Sequence, residues 1–308
     1  MQRLVPRTAA ARVFSAAMLL GFVLATGTAC AQKSQSPVNI VLKDVKVDEN
    51  LPNFGPDNRG ARELSLPYTF NVENNVGAPF CVDPPGPPCG GNYDKEWGTL
   101  KAIPIQRDGR QRKSLAPAPH IVFGGAGYTL KEFHFHTPSE HLIDKEDTAM
   151  ELHAVFISDD RPACRANKIL VLGKRIKLGD ENEEFDKIFG PTIVLPENYH
   201  APATTVPGFV LIKVLGDLSQ SYQYEGSLTA PSNLGCTPPG TPDEQLAKDY
   251  LPEVVYWVVL KDAIGMSQPQ IDRFRKLFIH EQHGHEEGNS RKAQDLNDRK
   301  VKMTPAKP

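Results

Sequence analysis

Lys131-Glu132-Phe133-His134-Phe135-His136 alternates polar and aromatic side chains residue by residue. Successive side chains of a β-strand point to opposite faces, so Glu132, His134 and His136 share one face and Phe133 and Phe135 the other. Two aromatic rings on one side of a strand call for a core beneath it, which commits this stretch to a packed sheet. Met150-Glu151-Leu152-His153-Ala154-Val155-Phe156 has the same alternation: Glu151, His153 and Val155 oppose Met150, Leu152, Ala154 and Phe156. If the two strands pair, three imidazoles converge. Three neutral nitrogens with an open fourth position is the donor set of a catalytic zinc ion. Taken singly, each His reads as a polar residue on a solvated face; the repetition on two strands favours the metal.

The rest of the chain agrees with a sheet. Strand patterns recur at Tyr68–Val72 and Ile169–Leu178, and the runs Phe209–Leu215 and Val254–Leu260 are apolar and β-branched. One helix is expected, capped by Ser267, with Ile271, Phe274, Leu277 and Phe278 at helical spacing. The 24 glycines and 27 prolines favour many turns between short strands over a helical bundle. Hydrophobic residues at 40% supply a sizeable core, and a net charge of -2 gives no overall basic field for nucleic acid. The expected fold class is mainly β (α+β), in a single domain.

Arg3, Arg7 and Arg12 precede the apolar run Val13–Ala25, and Ala29-Cys30-Ala31 reads as a cleavage site. Residues 1–31 are therefore expected to be a signal peptide, and the protein to be exported, periplasmic or secreted. A lipid anchor on Cys30 is the weaker alternative, because Gly27 stands where a Leu is usual. No transmembrane segment is expected in the mature chain. The domain would occupy 32–300, with 301–308 a frayed tail. Cys81, Cys89, Cys164 and Cys236 remain after cleavage, an even number that permits two disulfides in an exported chain. Sequence does not choose among the three pairings.

His134-Phe135-His136-Thr137-Pro138-Ser139-Glu140-His141, followed by Glu151-Leu152-His153, resembles the zinc-site signature of the α-class carbonic anhydrases in their bacterial form. Gln35–Ile40, Tyr224–Thr229, Val255–Lys261, Phe274-Arg275, and Asn289-Ser290-Arg291 with Gln294 resemble further family segments, in the family's order. The resemblance implies a large twisted, mostly antiparallel central β-sheet with a few short peripheral helices. It implies reversible hydration of carbon dioxide to bicarbonate and a proton, by attack of zinc-bound hydroxide. On that implication His134, His136 and His153 would hold Zn2+. Thr229 and Glu140 would be catalytic, with Thr229 passing a hydrogen bond to Glu140. Glu132, Glu151 and Asn289 would stand behind the ligands, and Val155, Val171, Leu228, Val255 and Trp257 would line the substrate pocket. Without the resemblance, those five would be read as plain core. The alternative, a non-catalytic binding domain on the same scaffold, is disfavoured because such relatives typically lack a ligand His.

Two departures from the family pattern stand out. Glu132 occupies a position usually held by Gln, where a carboxylate would make His134 a stronger donor and raise the pKa of metal-bound water. The stretch Asn74–Pro79 has no His where fast relatives often carry a proton shuttle.

Overall fold

The computed structural model describes residues 34–74, 99–105, 118–160, 169–198, 200–229, 255–277 and 288–306. They fall within one compact unit, Gln32–Pro308. The proposed signal peptide, all five cysteines and the shuttle stretch beyond Asn74 lie outside them, as does the polar run His280–His285. No helix among the described residues is long and apolar enough to cross a membrane.

Fourteen strands are described, in chain order β1 (Asn39–Ile40), β2 (Lys46–Val47), β3 (Tyr68–Asn74), β4 (Leu100–Pro104), β5 (His120–Phe123), β6 (Ala126–His136), β7 (Leu142–Ile143), β8 (Met150–Ser158), β9 (Ile169–Leu178), β10 (Thr204–Phe209), β11 (Ser221–Gly226), β12 (Val255–Leu260), β13 (Ile264–Met266) and β14 (Lys302–Met303). The α-helices among the described residues are α1 (Glu183–Phe189), α2 (Leu211–Leu215) and α3 (Gln268–Arg275), beside two 3-10 segments, Leu42–Asp44 and Pro56–Ser65. One large mixed sheet runs β10-β3-β4-β6-β8-β9-β12-β11-β14-β2, with β5 on β6 and β13 on β9. From β10 to β9 the neighbours are antiparallel; β9 pairs in parallel with β12 and β13. A small parallel pair, β1-β7, stands apart from it.

Both faces of the sheet centre are buried, which is why β12 and the first four residues of β9 read as continuous apolar runs. On one face Phe133 and Phe135 join Phe70, Phe209, Phe185, Phe189 and Phe274 in the main core. Phe133 stacks on Phe209 at 5.1 Å, and Phe135 meets the edge of Phe189 at 5.0 Å. On the other face Val155, Val171, Leu228, Val255 and Trp257 belong to a second apolar cluster with Val38, Ile40 and Tyr224. The histidine alternation falls as expected, but β6 carries a bulge. Leu130 pairs with Phe156 and Glu132 with Val155, leaving Lys131 as the extra residue.

Three expectations are corrected. The run Phe209–Leu215 is strand only to Phe209; α2 follows, because Leu211, Val214 and Leu215 are buried at helical spacing on one face. A second helix, α1, was not anticipated: Asn182 caps it by accepting from the Glu184 and Phe185 amides, and Phe185, Ile188 and Phe189 face the core. The terminal tail does not fray at 301–304. Val301 is buried, β14 pairs with both β11 and β2, and Thr304 exchanges hydrogen bonds with Ser221. Charge and proline hid it, since two residues of strand carry no periodicity.

Candidate metal centre

A single transverse row of paired residues crosses the sheet: Glu73 on β3, Lys101 on β4, His134 on β6, His153 on β8, Gly173 on β9 and Val259 on β12. His136 lies two residues from His134 on the same face. One donor atom from each of His134, His136 and His153 lies within 4.8 Å of the others. The ring centroids are 5.1, 5.4 and 4.7 Å apart.

Each ring has one nitrogen braced from behind. His134 Nδ1 faces Glu132 Oε1 at 3.3 Å, and His153 Nε2 faces Glu151 Oε1 at 3.1 Å. His136 Nδ1 donates to the Asn289 carbonyl at 3.2 Å. That leaves Nε2 of His134, Nε2 of His136 and Nδ1 of His153 as the inward nitrogens. His136 Nε2 is buried with no hydrogen-bond partner, as are His134 Nδ1 and His153 Nε2, whose carboxylate neighbours stand at ion-pair distance; for His136 Nε2 this is a costly state unless something else satisfies it. Burial, then the neighbouring imidazoles, hold His136 well below its usual pKa. Burial also depresses His153, to about 4. Both rings are therefore neutral near pH 7, the state in which imidazole ligates. These residues fit a zinc ion.

Further polar groups fix the surroundings. Asn289 clamps the end of β6, accepting from the Thr137 amide at 2.9 Å and donating to the Phe135 carbonyl at 3.1 Å. Glu151 is fully buried and accepts from the Glu140 amide, the His141 amide and His141 Nδ1, at 2.9, 2.8 and 2.8 Å. Burial opposes its ionisation, but His141 and His153 outweigh burial and hold the carboxyl well below the usual range. Its room comes from Gly173, where a Cβ would stand 2.9 Å from Oε1.

Glu140 Oε1 accepts from the Arg291 amide at 2.8 Å. Burial pushes the Glu140 carboxyl up to about 8, against the Thr229 hydroxyl and the Arg291 amide, which favour the anion. A dication among the rings would favour the anion further. Thr229 itself is buried, four residues after Glu225 on the exit from β11.

Several participants had no assigned role in the sequence reading. His141 Nε2 lies 2.6 Å from the Tyr224 hydroxyl, which is 3.1 Å from Ser36 Oγ. The Ser36 amide donates to Ser227 Oγ at 3.0 Å, and the Trp257 indole N–H donates to the Ser227 carbonyl at 2.9 Å. Gly226 permits this approach, since a Cβ there would fall 2.1 Å from Ser36 Oγ. Lys101 Nζ lies 3.0 Å from Glu132 Oε1. A lone lysine on a five-residue strand gave no signal of that contact.

A family profile for eukaryotic-type carbonic anhydrase matches residues 104–237 and 246–305, well over half of the chain. The chain belongs to that family. Alpha carbonic anhydrase 3 of Arabidopsis thaliana is 30% identical over 190 residues, covering 60% of this chain and 56% of its own length. A carbonic anhydrase of Klebsiella pneumoniae is 28% identical over 184 residues, covering 60% and 61%. The chain thus spans about three fifths of the length of these curated relatives. Among solved structures, the α-carbonic anhydrase of Thermovibrio ammonificans, in complex with the inhibitor sulfanilamide, superposes with a TM-score of 0.56. It is 26% identical, and the match covers 88% of this chain and 87% of that one. In this carbonic anhydrase chain the three histidines, Glu140, Glu151 and Thr229 all lie within the first matched span. Asn289 and Arg291, which tie Thr137 and Glu140 in place, lie within the second.

Proposed function

We propose that the protein catalyses the reversible hydration of carbon dioxide to bicarbonate and a proton, using one Zn2+ held by His134, His136 and His153. The observation that carries this reading is the convergence of three imidazoles, one donor nitrogen of each within 4.8 Å of the others, with the buried Nε2 of His136 left without a hydrogen-bond partner. Bound zinc would supply Lewis acidity, lowering the pKa of a water from 15.7 to about 7. A Glu140 carboxylate can only accept, so the Thr229 hydroxyl must donate to it. The Thr229 oxygen then has lone pairs free to accept one hydrogen from the nucleophile, which orients the nucleophile's own lone pair. Val155, Val171, Leu228, Val255 and Trp257 form an apolar wall on the histidine face, suited to a small substrate without charge. Glu132, Glu151 and Asn289 hold the ring tautomers and orientations.

The same reading extends to the ends of the chain. Residues 1–31 direct export to the periplasm or outside the cell, and Cys81, Cys89, Cys164 and Cys236 form disulfides there. Neither nucleic acid nor a membrane span in the mature chain is part of the proposal.

The test is zinc content and carbon dioxide hydration measured on the same purified sample. One zinc per chain with activity is expected, and His153→Ala should lose most of both while its circular dichroism stays that of a folded sheet. Full zinc occupancy and activity in that variant would sink the ligand assignment. Stoichiometric zinc without hydration in the wild type would favour the binding-domain alternative.

A further inference from the structure

Glu132 Oε1, 3.3 Å behind His134 Nδ1, puts a negative charge beside a proposed metal ligand where a neutral amide would bring none. The charge does not stand alone. Lys101 is the direct cross-strand partner of His134, and its ammonium reaches diagonally to Glu132 Oε1 at 3.0 Å. The next residue of the row is Glu73, the cross-strand partner of Lys101 on its other side. Across β8 the neighbour of Glu132 is Val155, which offers no charge. Glu132 thus meets one cation, one imidazole and an apolar wall, with Glu73 behind the cation.

We propose that Lys101 is a positioning residue. It holds the Glu132 carboxylate against His134 Nδ1 and neutralises it, so that the ion pair takes the place of a neutral hydrogen-bond acceptor at the metal. The pair is only partly exposed, at 23% for Lys101 and 15% for Glu132, so salt screens it incompletely. This reverses an expectation of the sequence. A bare carboxylate would raise the pKa of the activity profile, and replacing it by Gln would lower it. Beside Lys101 the carboxylate is already neutralised, so its replacement by Gln should move the profile less than the loss of a bare carboxylate would.

The inference rests on the carbonic anhydrase reading, so the wild type is first tested for one zinc and for hydration; failure there overturns that reading and not the pairing. A cycle of Lys101→Met, Glu132→Gln and the double variant then separates the outcomes. Two quantities are read: zinc affinity by chelator competition and the midpoint of the pH–rate curve. Lys101→Met should bind zinc about tenfold tighter and shift the midpoint up by about half a unit, the size expected of one unneutralised charge near the metal. Glu132→Gln supplies the background without the carboxylate: Lys101→Met should have no further effect there, so the double variant should match Glu132→Gln in both quantities. Lys101→Arg, which keeps the charge, should restore wild-type values. If Lys101→Met changes neither quantity, or changes both equally in the Glu132→Gln background, Lys101 does not act through Glu132 and the inference is overturned.

Discussion

Glu140 sits where two demands meet. On the proposed mechanism its carboxylate is the anionic acceptor of the Thr229 hydroxyl, yet burial pushes it up to about 8. The Arg291 amide at 2.8 Å favours the anion, and a dication held by the rings would favour it further. Glu140→Gln keeps the shape but gives Thr229 a neutral acceptor that can also present a donor. On the proposed mechanism, kcat/KM should fall by roughly 10- to 100-fold, the usual cost of losing a group one step behind the metal. Zinc content should stay near one per chain; a variant with full activity would remove Glu140 from the mechanism. At this scale the histidine alternation could be read directly from sequence, because a strand's two-residue period sorts side chains by face whatever the rest of the fold does. The roles of His141, Tyr224 and Ser36 could not be read that way. They meet across 83 and 188 residues of chain, and such contacts leave no local period.

Among the elements, β9 shows how the sheet's two faces can be told apart. Leu170, Leu172 and Ile176 face the main core while Ile169 and Val171 face the second cluster. Lys174 continues the first set and is buried at its edge. Burial lowers its pKa to about 8, with Asp262 and Asp217 opposing the shift. The sign follows from linkage. Between about 8 and the ordinary lysine value near 10.4, the unfolded chain binds the proton and the folded chain does not, so stability rises with pH across that window. Below it the full cost of burying the charge is present. Lys174→Met should therefore stabilise the protein by on the order of 2 kcal/mol at pH 7, and the gain should vanish toward pH 10.5. Denaturant titrations at several pH values check this; a gain that does not change with pH would place its origin in packing. The same element explains a misread one. Phe209–Leu215 is as apolar as β9, and only the burial of residues 211, 214 and 215 distinguishes its helical part. Short apolar runs carry both periods, and tertiary packing chooses between them.

For the whole molecule, the edge formed by β2, β14 and β11 matters most. Val301 packs into the second apolar cluster, and Thr304 closes three hydrogen bonds with Ser219 and Ser221, at 2.8, 3.0 and 2.9 Å. A chain ending at Lys300 should lose these and expose the outer edge of β11. Its Tm should drop by roughly 5 °C or more, given about 2–4 °C per kcal/mol for a domain near this size. Zinc binding should persist at low temperature, since none of the three ligands touches β14. An unchanged Tm would mean the edge contributes nothing. The placement of β14 also has a consequence in time. Among the described residues β2, early in the compact unit, pairs only with β14, late in it. A nascent chain can bring its histidine strands together while still being made, but β2 has no described strand to join until β14 has been made, so every chain that stops short of β14 carries an open edge.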